Sequence, residues 1–235
     1  AATRRLGPAL SAAVAELARA ERATVFMTLL AAYQVLLWRH SGQRTFLVGA
    51  PMAGRDRPEF RALVGCFTDT VLLRADLAGD PTFRQLLARV RDDALQAFAD
   101  QGVPLEQLIT HVGADRDTSR TPLFQAMFNL QPAKTGLLAL PGVTSTPWEP
   151  TVRSVKVDVE LDVNQHPDEL EVQVGVSAAL FDAGTAQRLA AHLATLLAGA
   201  VADPDRPISR LTLLDEAERR LVLSVGADTA APYPA

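Results

Sequence analysis

Cysteine is almost absent from this chain, and its scarcity excludes a disulfide-stabilised fold. The 235 residues contain one cysteine, Cys66, so no disulfide can form within the chain. A chain without disulfides is typical of a reducing compartment, and we predict a cytoplasmic protein. Cys66 itself lies in an apolar stretch, which predicts a buried thiol that packs as a small hydrophobic residue.

Lysine is nearly as scarce, with only Lys134 and Lys156, and the arginines are dispersed along the chain. The formal net charge is −4 and no basic stripe with interleaved aromatic residues is present, so nucleic-acid binding is not expected. No apolar run approaches the roughly 20 residues that span a bilayer. No secretory signal is predicted either, because no basic start leads into an apolar segment with a cleavage site.

Motifs of a self-sufficient active site are also missing. The chain has no nucleophile elbow, no P-loop and no glycine-rich dinucleotide motif. Asp158, Glu160 and Asp162 share one face of a strand, and we interpret that face as solvent-exposed rather than as an acid–base pair. The histidines lie far apart without zinc-ligand spacing, so no metal site or catalytic role is predicted for His40, His111, His166 and His192.

Hydrophobic periodicity predicts helices interleaved with strands. Helices are expected at residues 8–20, 24–41, 82–100, 104–112, 182–201 and 215–223, with Thr24 and Asp182 as N-caps. Strands are expected at residues 46–49, 67–77 and 124–130, residues 208–214 are expected to be extended, and strict alternation predicts a hairpin of residues 155–163 and 170–174. The pattern favours an α/β (α+β) layered sandwich in which helices cover a mixed sheet.

The chain's organisation is that of one domain at residues 1–225 followed by a linker at residues 226–235. Residues 132–151 form a long connection rich in glycine and proline. Such a long loop inside a compact domain is uncommon and is usually functional or mobile. A surface loop and a functional crossing element are both compatible with it.

Two segments carry the most specific signal. Residues 116–125 read R-D-T-S-R-T-P-L-F-Q, and residues 64–74 read V-G-C-F-T-D-T-V-L-L-R. Together they resemble the motifs R-D-x-S-R-N-P-L-F-Q and V-G-x-F-V-N-T-x-x-x-R of the condensation domains of non-ribosomal peptide synthetases. Residues 48–55, 100–106 and 180–182 resemble three further family motifs in the same order, so the resemblance covers almost the whole chain.

The resemblance implies a lobe with a chloramphenicol-acetyltransferase-like fold. Condensation domains have two such lobes in a V, with the active site in a tunnel between them, and their catalytic motif H-H-x-x-x-D-G lies in the first lobe. That motif is absent from these 235 residues. The chain is therefore expected to be the C-terminal lobe, without catalytic residues of its own and inactive alone.

The resemblance also implies the reaction and the partners. The acceptor's amine attacks a donor thioester, and both substrates are carried on the phosphopantetheine arms of carrier proteins. The implied partners are the N-terminal lobe, the donor and acceptor carrier domains and an adenylation domain that follows the linker at residues 226–235. No intrinsic cofactor or metal is implied, and the setting is bacterial secondary-metabolite biosynthesis.

Candidate site residues come from the same motifs. Asp69 occupies the place of the family's usual asparagine, which replaces an amide donor with an acceptor-only carboxylate. Residues 132–151 are the candidate for an element that crosses to the other lobe. Tunnel-lining candidates are Asp69, Thr70, Met127, Asn129 and Gln131. The alternative to the last three is the opposite face of the same strand, with Phe124, Ala126 and Phe128. Residues expected to hold the motifs in shape are Gly65, Phe67, Arg74, Arg116, Asp117, Arg120, Pro122 and Gln125.

Two alternative functions stay open. The departure at Asp69 is compatible with a condensation-like domain that has lost catalysis and recruits tailoring enzymes. An epimerization domain or a free-standing acyltransferase of the same superfamily is the other possibility, although no motif typical of either is present. An intact histidine motif upstream would favour the enzyme, and a degraded one the docking platform.

Overall fold

One mixed sheet organises the computed structural model, which describes residues 1–55, 58–60, 62–100, 103–113, 121–132, 141–143 and 154–227. Within these residues the sheet has six strands: β1 (Ala2–Arg5), β2 (Thr45–Met52), β3 (Asp69–Asp76), β4 (Ala126–Pro132), β5 (Val159–Gln165) and β6 (Leu170–Val176). Their order across the sheet is β1-β6-β5-β4-β2-β3. The pairs of β4 with β2 and with β5 are parallel, and the other pairs are antiparallel. The mixed sheet confirms the predicted fold class.

Six helices are interspersed with the strands along the described chain. They are α1 (Pro8–Ala20), α2 (Val25–Ser41), α3 (Phe83–Ala99), α4 (Leu105–Val112), α5 (Thr185–Ala202) and α6 (Glu216–Ala227). Two 3₁₀ turns occupy Pro58–Phe60 and Ile208–Arg210. The second turn shows that the extended conformation predicted for residues 208–214 was wrong for the first three of them. None of the described helices is long and apolar enough to cross a membrane.

Local capping signals explain where several helices begin and end. The side chain of Thr24 accepts a hydrogen bond from the Met27 amide, and Gly42 ends α2 in the left-handed conformation, so both predicted ends are confirmed. Thr82 and Gln85 form a reciprocal capping box at the start of α3. The predicted cap of α5 was wrong: Gly184 is its N-cap, and Asp182 contributes only a backbone carbonyl to the preceding turn.

The predicted hairpin is confirmed, with β5 and β6 paired from Val159↔Val176 to Gln165↔Leu170, although its first strand begins at Val159 and not at the predicted residue 155. The preceding strand β4 begins at Ala126, two residues later than expected. Helix α6 runs to Ala227, beyond the predicted end at residue 223 and into the first two residues of the expected linker. Residues 228–235 lie outside the described part, so the linker stays a prediction.

The core lies between one face of the sheet and the helices. Phe128 of β4 is fully buried there, with its ring centroid 4.9 Å from that of Phe26 and 6.1 Å from that of Tyr33. Alternate residues of the neighbouring strands, including Leu161 and Val172, join the same apolar cluster. Side chains successive along a strand point to opposite faces. The intervening residues therefore lie on a second face, and that face is polar.

Candidate functional site

A cavity of about 690 Å³ opens on the polar face of the sheet. Its wall includes residues of β2, β3, β4, β5 and β6 together with the segment 154–156 that leads to β5. Four of the predicted tunnel residues lie in this wall: Thr70, Met127, Asn129 and Gln131. The cavity is the candidate functional site.

Strand pairing arranges the side chains of the cavity wall in rows that run across neighbouring strands. Met127 faces Glu160, and Asn129 faces Asp162, across the parallel pair of β4 and β5. Because side chains directly opposite on one face lie close together, each row brings a β4 residue against a carboxylate of β5. Asn129 Nδ2 donates a hydrogen bond to Asp162 Oδ1 at 3.1 Å. The polar residues of β4 therefore position an acidic strand.

The strand face interpreted as solvent-exposed, with Asp158, Glu160 and Asp162, borders the open cavity at two of its three carboxylates. Glu160 and Asp162 are half-buried in the cavity wall. The Lys156 amide donates a hydrogen bond to Glu160 Oε1, which holds that carboxylate in place. Alternation along the strand could show that the two share a face, but not that the face borders a cavity.

The negative charges of Glu160 and Asp162 also act on Tyr33, on the core side of the sheet. The hydroxyl of Tyr33 is buried and donates to the Val159 carbonyl at 3.3 Å. Burial raises the pKa of Tyr33 far above its ordinary value, and the negative charges of Glu160 and Asp162 raise it further. Tyr33 therefore stays a neutral hydrogen-bond donor beneath the site.

Gly175 lets the segment 154–156 lie close against the sheet. A Cβ atom at Gly175 would lie 2.7 Å from Val155 Cγ1, which is closer than real side chains approach. Gly175 pairs with Glu160 across β5 and β6. The missing side chain thus leaves room for the segment that delivers the Lys156 amide to Glu160.

Asp69 and Thr70 lie at the start of β3, at one edge of the cavity. Thr70 lines the cavity, and the Thr70 amide donates to Asp69 Oδ1 at 2.7 Å. Asp69 is exposed and pairs in register with Met52, but it is not among the lining residues although Thr68 and Thr70 are. A tunnel role for Asp69 remains a proposal.

Arg55 organises the loop before β3, and its role was missed from the sequence. Its guanidinium donates to the carbonyls of Phe60, Leu63 and Gly65 and lies 4.5 Å from the ring centroid of Phe67. Lysine could not replace Arg55, because only the planar guanidinium can donate to several carbonyls and also stack on an aromatic ring. Residues 62–68 are therefore held by arginine contacts rather than by strand pairing, so β3 begins at Asp69 instead of the predicted residue 67.

Two other motif segments meet on the polar face. Gly49 of β2 has no side chain, and the buried ring of Phe124 occupies the space, 2.5 Å from where a Cβ atom would lie. Leu123, with φ 72°, turns the chain just before Phe124. The glycine of one motif and the phenylalanine of another therefore form a single packing contact.

The remaining motif residues of the described chain, Arg74, Pro122 and Gln125, lie outside the cavity wall. Arg74 is exposed and lies 3.6 Å from Asp76 in an ion pair. Gln125 Nε2 donates to the Thr121 carbonyl at 3.0 Å, and Pro122 is half-buried beside that turn. The predictions for Arg116, Asp117, Arg120 and most of the connection at residues 132–151 lie outside the described residues.

The prediction of a buried Cys66 was wrong. Cys66 is exposed in the loop before β3, next to the cavity-lining Thr68. Hydrogen bonds from the backbone and side chain of Thr68 lower the pKa of the thiol, and the charges of Lys156 and Arg55 lower it further. The local hydrophobicity predicted burial, but Arg55 holds this loop at the surface.

Among the described residues, no group of three or more potential ligands could hold a metal ion.

Two histidines that are 152 residues apart meet at the end of α2. His40 Nε2 lies 3.2 Å from His192 Nδ1, and the two rings stack at a centroid distance of 5.3 Å. His192 is buried, and its Nε2 lies 2.8 Å from Glu218 Oε2 of α6. Because a carboxylate only accepts, His192 Nε2 is the donor to Glu218. The relay ties α6 to α2 and α5.

Acidification is expected to weaken this relay. Burial lowers the pKa of His40, as do His192, Arg39 and Arg188, while Glu218 opposes the shift. A histidine with a lowered folded-state pKa stabilises the fold fully above its unfolded pKa, near 6.5, and that contribution is lost as the pH falls through the window below. The urea midpoint is therefore expected to fall between pH 7.5 and 5.5, and less so in His40→Gln, which keeps an amide donor. Equal falls in both proteins would contradict the prediction.

Comparison with solved structures defines the class of fold. The X-domain from teicoplanin biosynthesis superposes with a TM-score of 0.83 at 26% identity, over 91% of this chain and 50% of that chain. A four-domain nonribosomal peptide synthetase bound to AMP and glycine gives a TM-score of 0.83 at 24% identity, over 93% of this chain and 18% of that chain. The fold is thus of the chloramphenicol-acetyltransferase-like class, as predicted.

The sequence places the chain within that class. The family model of the condensation domain matches residues 1–223, and the chain belongs to that family. A linear gramicidin synthase protein of Brevibacillus parabrevis is 43% identical over 99% of the chain, and chondramide synthase cmdD of Chondromyces crocatus is 38% identical over 98%. The chain spans only 4% and 6% of those two relatives. Condensation domains catalyse peptide bond formation, and the predicted family is confirmed.

Proposed function

We propose that this chain is the C-terminal lobe of a condensation domain and forms one wall of the tunnel in which an amide bond is made. The observation that carries the proposal is the cavity on the polar face of the sheet, opposite the face that the helices cover. A second lobe against this face would convert the open cavity into a tunnel. The chain's 50% coverage of the solved X-domain supports a division into two lobes.

The reaction joins two thioesters carried on phosphopantetheine. The acceptor's amine nitrogen attacks the donor's carbonyl carbon, a C–N bond forms, and the C–S bond of the donor breaks. The proton that the amine loses goes to the released sulfur, so that carrier-bound thiol and elongated amide are the products. Such a step depends on the orientation of two tethered reactants and on stabilisation of the tetrahedral charge. Thr70 and Asn129 would contribute polar groups to the wall.

The histidine motif that assists this reaction in the family would come from the other lobe. We therefore propose that this chain acts with an N-terminal lobe, donor and acceptor carrier domains and a following adenylation domain, in the cytoplasm. The phosphopantetheine arms would enter with the carriers and not reside in this lobe. We expect this lobe to shape the tunnel and to orient the two tethered substrates.

Reconstitution tests the proposal. The chain joined to its upstream lobe, with loaded donor and acceptor carriers, is expected to yield the condensed product by mass spectrometry. The product should disappear in an upstream His→Ala variant, and the present chain alone should yield none. Product formation by this lobe alone, or product that survives the upstream His→Ala change, would contradict the division of labour.

A docking platform is the second candidate function. The teicoplanin X-domain has been crystallised in complex with OxyB, and that structure matches the chain with a TM-score of 0.80 at 28% identity. The carboxylate at Asp69, in place of the family's asparagine, is compatible with lost catalysis. If the reconstituted protein is folded and its carriers are correctly loaded, absence of product would favour this candidate, and Asp69→Asn would not restore activity.

A further inference from the structure

Helix α6 adds very little to the apolar core of the lobe. Within residues 216–225, only Glu218 is half-buried and every other residue is exposed. Four large apolar side chains of α6 are between 56% and 67% exposed: Leu221, Val222, Leu223 and Val225. Most helical stability in proteins comes from burial of an apolar face, and a helix of 12 residues is marginal by itself. Apolar packing therefore does not explain how α6 keeps its place on the lobe.

One carboxylate joins α6 to the rest of the lobe. Glu218 Oε2 accepts a hydrogen bond at 2.8 Å from Nε2 of the buried His192 of α5. The other side-chain hydrogen bonds of α6 among the described residues stay within the helix, from Arg220 to the Glu216 carbonyl and from Ser224 to the Leu221 carbonyl. Hydrogen bonds to charged groups are stronger than neutral ones, so the contact of Glu218 with His192 dominates the attachment.

The start of α6 depends on local signals only. Asp215 Oδ1 accepts a hydrogen bond from the Glu218 amide at 2.8 Å, which is the contact that an N-cap residue makes. Glu216 and Glu218 lie in the first turn, where negative charge favours a helix. These signals fix where the helix begins in the chain, whereas the contact with His192 fixes where it lies on the lobe.

The partner of Glu218 is held in position from its other side. His40 Nε2 lies 3.2 Å from His192 Nδ1, and the two rings stack at a centroid distance of 5.3 Å. His192 is only 5% exposed, so its Nε2 loses its acceptor when α6 moves away. A buried donor without an acceptor costs free energy, which favours the return of Glu218 to the same place. The docked position of α6 is therefore specific although its attachment is small.

We propose that α6 is a detachable helix, docked on α5 by the contact of Glu218 with His192 and released as one unit. Elements with few buried apolar contacts open locally at a much lower free energy than the core does. Helix α5 is of the opposite kind, because Leu193, Leu196 and Leu197 are fully buried. Docking fixes the position of Ala227, from which residues 228–235 continue, and release frees it.

Hydrogen exchange followed by mass spectrometry tests the proposal in the complete condensation domain. The amides of α6 are expected to exchange at one common rate, faster than those of α5. Glu218→Ala should raise the α6 rate by about tenfold, the factor expected for loss of one hydrogen bond to a charged group, and should leave α5 unchanged. Glu218→Gln keeps an acceptor oxygen, so its α6 rate should lie between those of wild type and Glu218→Ala.

Glu216→Ala is the matched control, because it removes a carboxylate from the same turn of α6. Among the described residues the ion-pair partner of Glu216 is Arg220, within the helix itself. The loss of its charge should raise the α6 rate by no more than about threefold. Equal increases in the two alanine variants, or α6 amides that exchange as slowly as those of α5, would overturn the proposal. Rates that rise steadily from Glu216 to Ala227 would show fraying from the end and would overturn release as one unit.

Discussion

Replacement of Phe128 by alanine is expected to lower the free energy of unfolding by about 3–5 kcal/mol, the largest effect we predict for a single residue. Phe128 is fully buried at the centre of the sheet and contacts the rings of Phe26 and Tyr33. Removal of the ring leaves a cavity that neighbours in α2 and β4 can only partly fill, because both elements are fixed by backbone hydrogen bonds.

Urea unfolding followed by circular dichroism measures this loss. Leu221→Ala is the control, because Leu221 is 63% exposed on α6 and its truncation should change stability by less than about 0.5 kcal/mol. Phe128→Leu should fall between wild type and Phe128→Ala. A loss below about 1 kcal/mol in Phe128→Ala would show that Phe128 does not centre the core.

The second large effect is expected at Gly49. Alanine there places a Cβ atom 2.5 Å from the ring of the buried Phe124, so either the ring or strand β2 must move. Overpacking of this kind costs about 1–3 kcal/mol. Because Phe124 directly precedes the strand that carries Met127 and Asn129, the shift should also disturb the cavity wall.

A double-mutant cycle identifies the contact responsible. Phe124→Leu shortens the side chain, so Gly49→Ala should cost less in that background than in wild type. Gly199→Ala is the matched control, because its Cβ would meet Leu211 at an ordinary 3.7 Å and alanine favours the interior of a helix. Equal costs of Gly49→Ala in both backgrounds would show that Phe124 is not the obstacle.

These two residues also show what the motifs contribute to the fold. Gly49 belongs to residues 48–55 and Phe124 to residues 116–125, segments that were matched separately as sequence strings. In the structure each is the other's packing partner. Arg55, in the same segment as Gly49, contacts another motif segment, residues 64–74, through the Gly65 carbonyl and the Phe67 ring. The three motif segments therefore build one surface beside the cavity.

The alternation of Met127, Asn129 and Gln131 predicted a polar strand face, which was preferred as the tunnel-lining candidate over the opposite face with Phe128. The position of the helices supports that preference, because they cover the Phe128 side. Glu160 and Asp162 alternate as in any solvent-exposed strand, so their place at the cavity needed the tertiary structure. Periodicity reports which residues share a face, whereas burial depends on what packs against it.

The sequence by itself determined the helix capped by Thr24, the β5–β6 hairpin and the condensation-domain family, because these depend on local hydrogen bonds, short-range periodicity and motif identity. The tertiary structure alone decided three other features: the exposure of Cys66, the contact of His40 with His192 and the acidic cavity wall. Each requires residues distant in the chain to meet. Packing of whole elements determines such contacts, and no local pattern encodes it.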